Sequence, residues 1–87
     1  GFVSELAAPE ALMDAAQELA RQIIANAPLA VQLTKALAMW GLDQPTLADA
    51  LAGQVQHPLF ETWRRAEDTA EGPKAFAEKR GAVWKGR

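Results

Sequence analysis

Eighty-seven residues with a net charge of −2 leave room for one small domain and not for two. The chain has no cysteine and a single histidine, His57, which excludes disulfides, thiolate metal sites, a Cys nucleophile and a paired-imidazole metal site. Hydrophobic residues make up 49% of it, but many are Ala, so the core should be thin and partner surfaces should matter for stability.

Gly1 to Leu6, GFVSEL, reads as an apolar strand with no hairpin partner in the chain. With Gly rather than Met at position 1, the sequence reads as a piece of something longer. Residues 1–8 are therefore taken as strand and linker, and residues 9–87 as a helical domain of about four helices. No apolar run approaches a membrane span and no signal-peptide pattern opens the sequence, so a reducing, cytoplasmic setting is the expectation.

The first helical block begins at Pro9, where a missing N–H costs nothing, with Glu10 and Asp14 favoured by the helix dipole. Leu12, Ala16, Leu19 and Ile23 form one stripe, and the block ends near Asn26–Ala27 because Pro28 cannot continue the ladder. The second block starts at Pro28, with Ala30, Leu33, Leu37 and Trp40 on its apolar face and Gly41 as the residue just past its end. The third opens at Thr46 as N-cap, with Asp49 three residues on. Its stripe of Leu47, Leu51, Val55 and Leu59 contains Pro58, whose ring opposes the carbonyl of Gln54, so a break is expected just before it. The fourth runs from about Glu67–Asp68 to about Arg80, and Gly72–Pro73 is read as a split point at which the helix restarts. After Gly81 the chain should be extended.

No catalytic or metal-binding constellation emerges from these elements. Most carboxylates lie on polar helix faces, where solvation is the plain explanation. Glu67, Asp68 and Glu71 sit at a helix start, where the dipole alone favours them. His57, beside the Pro58 break, is read as structural, and Ser4, the one serine, has no partner at a meaningful spacing. The charge distribution is more informative. Five of the nine Lys and Arg residues (Lys74, Lys79, Arg80, Lys85, Arg87) fall in residues 71–87 against two of the eleven acids, so this tail carries +3 and residues 1–70 carry −5. On a helix, Phe76 lies three residues before Lys79 and four before Arg80, an apolar ring next to cations. Such a turn suits a ligand with a greasy end and a phosphorylated end. It equally suits a core Phe with basic residues complementing the helix C-terminus, which is the commoner arrangement. Nucleic acid is not an expected partner, given the acidic balance and the short basic stretch.

Four segments, in order, resemble the C-terminal third of the crotonase, or enoyl-CoA hydratase/isomerase, superfamily: GFVSEL, ANAPLAVQLTKALA, RAEDTAEGPKAFAEKR and AVWKGR. The resemblance covers essentially all 87 residues; the third segment is the most specific, and the middle block, residues 43–65, is not specific. Trp84 stands where the family more often has Phe, read as a conservative change. The resemblance implies that the oxyanion hole and the acid–base glutamates belong to a core preceding Gly1, so no catalytic residue is assigned here. It further implies that the helical region covers the active site and builds a trimer or dimer of trimers. Phe76 and Lys79 match positions that approach the CoA ligand: an apolar wall for the acyl or pantetheine end, and a cation for the phosphates or the adenine edge. The implied substrate is an acyl-CoA thioester, with no cofactor bound and no turnover by this segment alone. Self-association of the isolated chain is expected. The alternative from another class is a free-standing helical interaction module with a similar tail and no ligand.

Overall fold

A computed structural model describes all of residues 1–87. The chain is all-α: α1 is Leu12–Ile24, α2 Pro28–Leu42, α3 Leu47–Gly53, α4 Pro58–Arg65 and α5 Glu67–Ala77, with single 3₁₀ turns at Pro9–Ala11 and Gln54–Gln56. No helix is long and apolar enough to cross a membrane. Gly1 to Ala8 form no strand, since the chain offers no second strand and a ladder needs two.

Local chemistry accounts for most boundaries. Pro28 opens α2 and Pro58 opens α4, each in the first turn, where no backbone donor is lost. Asn26 finishes α1 by donating from Nδ2 to the carbonyls of Gln22 (2.7 Å) and Ile23 (3.3 Å). Thr46 caps α3: its Oγ1 accepts from the Asp49 N–H at 3.1 Å and donates to Asp49 Oδ2 at 2.6 Å. The break before Pro58 falls where the sequence places it and divides the third block into two helices, so the α-helices number five rather than about four. His57 caps the second of them, its Nδ1 accepting from the Leu59 N–H at 3.2 Å, and its ring meets Trp40 edge-on with centroids 6.3 Å apart.

Two expectations are corrected. Gly41 lies inside α2, which ends one residue later at Leu42 with Asp43 as cap. It faces α3, where a Cβ on Gly41 would make an ordinary contact with the Ala50 methyl at 3.7 Å. The split at Gly72–Pro73 is absent, and α5 runs unbroken through Pro73. An interior proline costs ~3 kcal/mol of helix stability, and the C-terminal tail bonds to the same helix at Asp68 and Glu71.

The packed part of the molecule is α2 against α3 and α4, with α4 leading into α5. Phe60 and Trp63 stack at a tilt, 5.5 Å between centroids, and Gly53 leaves room for the Trp40 ring, which a Cβ there would meet at 2.7 Å. Only Leu33, Ala75 and Asp68 are buried. Leu12, Leu19 and Ile23, the stripe of α1, are exposed, as are Phe2, Leu6, Leu47, Leu51 and Val55.

Candidate functional site

The basic tail lies back along the acidic start of α5. Asp68, only 4% exposed, accepts the Lys85 N–H on Oδ1 and the Gly86 N–H on Oδ2, both at 2.8 Å. In the other direction the carbonyl of Arg87 accepts the Glu67 N–H at 2.7 Å, satisfying a donor that the helix N-terminus leaves free. Gly86 allows the reversal, with a φ of 71° that a side chain would strain. Lys85 Nζ and Arg87 Nε pair with Glu67 at 2.7 and 3.3 Å, and the Lys85 contact draws the Glu67 carboxyl below its ordinary pKa. Between these anchors Trp84 lies over Gly72, and its indole Nε1 donates to the Ala25 carbonyl at 2.9 Å, joining the tail to the end of α1. A Phe could not make that bond, so Trp84 is more than a conservative replacement.

Glu71 is the second anchor. Its carboxylate takes the Arg80 guanidinium in a two-pronged contact, Nη1 to Oε1 at 2.5 Å and Nη2 to Oε2 at 3.0 Å, and Oε1 also accepts the Val83 N–H at 2.8 Å. The Arg80 fork, followed by the Val83 donor, lowers the Glu71 pKa to about 2. Arg80 Nε reaches Glu78 Oε2 at 2.6 Å, and the two carboxylates push the guanidinium pKa up.

These contacts frame the turn that ends α5. Lys79 has a φ of 54°, the left-handed region. Its N–H bonds the Phe76 carbonyl at 3.2 Å and the Arg80 N–H bonds the Ala75 carbonyl at 3.1 Å. Together these form a Schellman turn with Lys in the place usually taken by Gly. The two residues singled out by the resemblance therefore share one hydrogen-bonded turn. Within this chain Phe76 is 87% exposed and packs in no core of these helices, and Lys79 is exposed and makes no ion pair. Lys74 is exposed and unpaired as well, whereas Arg80, Lys85 and Arg87 are all committed to carboxylates. The turn thus offers one apolar ring and one free ammonium at the helix end. Sequence reasoning missed Asp68 and Glu71 as ligands of the tail. Their signal was the charge anomaly itself: a +3 tail following an acidic helix start in the same segment.

The sequence profile of the enoyl-CoA hydratase/isomerase family matches residues 1–87. Among curated relatives, carnitinyl-CoA dehydratase of Citrobacter koseri is 39% identical over 90 residues, covering 100% of this chain and 34% of the relative. Its counterpart in Salmonella agona is 38% identical over the same span. Among solved structures, an enoyl-CoA hydratase/isomerase from Mycobacterium paratuberculosis superposes with a TM-score of 0.87 at 39% identity, and a putative short chain enoyl-CoA hydratase from Novosphingobium aromaticivorans with 0.86 at 37%. Each match covers 100% of this chain and 33% of the solved one, so the chain spans about a third of its relatives' length. Matched from Gly1 to Arg87 by one family profile and folded as the corresponding part of its solved structures, the chain belongs to the enoyl-CoA hydratase/isomerase family.

Proposed function

We propose that this chain is the C-terminal helical part of an enzyme acting on acyl-CoA thioesters, contributing to trimerisation and to part of the CoA site while leaving catalysis to a preceding core. Phe76 serves as an apolar wall for the acyl or pantetheine end. Lys79 serves as a point charge for the CoA phosphates or the adenine edge, a role an ammonium fills without needing a fork. Binding energy gained so far from the thioester can be used at the reacting carbonyl.

The observation that carries this reading is the left-handed conformation of Lys79. A non-glycine residue costs roughly 1 kcal/mol more than Gly in that region, and the fold gains nothing visible from the lysine side chain, which is exposed and unpaired. A non-glycine residue held in this conformation, with an exposed cation and an exposed aromatic ring in one turn, supports a ligand contact there.

The test is CoA titration of the full-length protein carrying Lys79→Ala or Lys79→Gly. Both variants should weaken CoA binding roughly three- to tenfold, as expected for a water-screened ammonium–phosphate contact. Lys79→Gly should at the same time raise thermal stability, which separates lost binding from lost folding. Unchanged affinity in both would leave Lys79 as a complement to the helix dipole.

A further inference from the structure

Arg80 is the most heavily committed side chain of the tail. It engages Glu71 with two nitrogens, Glu78 with a third contact and the Gly81 carbonyl at 3.0 Å. It therefore occupies the two carboxylates of this helix end, Glu78 being the immediate neighbour of Lys79 in sequence. Glu71 lies two helical turns earlier and also holds the Val83 N–H, so one carboxylate ties together the chain on both sides of Gly81. The pair is partly sheltered, with the Glu71 side chain 18% exposed and that of Arg80 35%. A left-handed non-glycine residue persists only where its surroundings over-determine it. Here the determinants are the Arg80 N–H bond to Ala75 and the guanidinium anchored on Glu71 immediately after it.

We propose that Glu71 and Arg80 are positioning residues for Lys79: their fork fixes the left-handed turn that carries the ammonium, and Arg80, by occupying Glu71 and Glu78, keeps that ammonium free of carboxylates within its own chain. This rests on the assignment of Lys79 as a CoA contact. If Arg80 is weakened, the turn loosens and Glu78 and Glu71 become competitors of the ligand phosphate for Lys79. If Glu71 is neutralised, the guanidinium loses its two-pronged charged anchor, and the turn is left with its backbone bonds and the Glu78 contact.

The experiment is a double-mutant cycle in the full-length protein, with CoA as the probe. Glu71→Gln should weaken CoA binding about two- to fivefold in the parent background, a surface-pair effect on the equilibrium, and should add nothing further in a Lys79→Ala background. Equal losses in both backgrounds would overturn the proposal, because Glu71 would then not act through Lys79. Arg80→Lys keeps the charge without the fork, perturbs folding less, and should fall between parent and Glu71→Gln in affinity. Hydrogen exchange across residues 76–82 of the unliganded protein supplies a readout independent of CoA. Glu71→Gln should speed exchange there while α2 keeps its protection. Should Lys79→Ala itself leave CoA affinity unchanged, the CoA assignment fails and exchange alone decides the positioning role. Faster exchange confined to the turn supports it, and unchanged exchange overturns it.

Discussion

Asp68 is the one charged side chain of this region that is buried, and it receives the returning tail. It is a carboxylate 4% exposed, with each oxygen taking one backbone N–H from the returning chain. Buried charge is tolerated when its lone pairs are met by donors, and charge-assisted bonds are about twice as strong as neutral ones. Asp68→Ala removes both acceptors and strands two N–H groups, so a loss of about 2–3 kcal/mol is expected, read by chemical denaturation of the full-length protein. A change below the error of that measurement would mean that water replaces the carboxylate without cost. Phe76 and Lys79 were legible in the sequence only through the family order of the residues around them. Charge and spacing alone favoured a core Phe with basic residues complementing the helix end. The exposure of Phe76 and the φ of Lys79 are visible only in the folded chain, and the proposed ligand contact draws on them.

At the scale of the element, the tail behaves as a strap across α5, held by carboxylates at its two anchors. Glu71 has its pKa lowered to about 2 from the usual 4.5, first by the Arg80 fork and then by the Val83 N–H, and Glu67 is lowered by Lys85 and Arg87. The sign follows from linkage: a carboxyl whose folded pKa lies below its unfolded one stabilises fully above the unfolded value and loses that contribution as pH falls through the folded one. The strap should therefore hold above about pH 4.5 and release between there and pH 2. The 87-residue chain with Trp84 as its sole tryptophan (Trp40→Phe, Trp63→Phe) reports this directly. Its indole emission should shift as the bond to Ala25 is lost, and Glu71→Gln should abolish much of the pH response. A flat profile across that window would show that the strap does not depend on the charge of Glu71 and Glu67. The same strap explains which boundaries could be read from the sequence. Caps and prolines act locally, so Thr46, Pro28 and Pro58 announced their helices. The continuity of α5 through Pro73 accompanies the docking of Val83 to Arg87 against Glu67 to Gly72, through contacts 12 to 18 residues apart in sequence at Glu71 and Asp68, which no local rule contains.

For the whole molecule, size and shape decide the argument. A compact domain of this length has a radius of gyration of about 12 Å, whereas this chain measures 16.5 Å, with extents of 46 × 38 × 19 Å. Its accessible surface is 7038 Å², against about 5,000 Å² for a folded monomer of the same mass. The excess, on the order of 2,000 Å², is comparable to what a stable interface buries in total. Much of it is apolar: the α1 stripe of Leu12, Leu19 and Ile23, and the groove between α2 and α3, about 580 Å³, lined by Leu37, Trp40, Leu47 and Leu51. Exposed apolar surface of this extent is seldom left open in water. The isolated 87-residue chain should therefore self-associate, its sedimentation coefficient rising across a concentration series and a dye sensitive to apolar surface binding most strongly at the dilute end. Charged substitutions on the α1 stripe, such as Leu19→Lys with Ile23→Glu, should move the equilibrium toward monomer without unfolding α2 to α5, because α1 packs on no other helix to any extent. A chain that stays monomeric at every concentration, with little dye bound, would mean that the helices close on one another and that the open arrangement does not persist in solution.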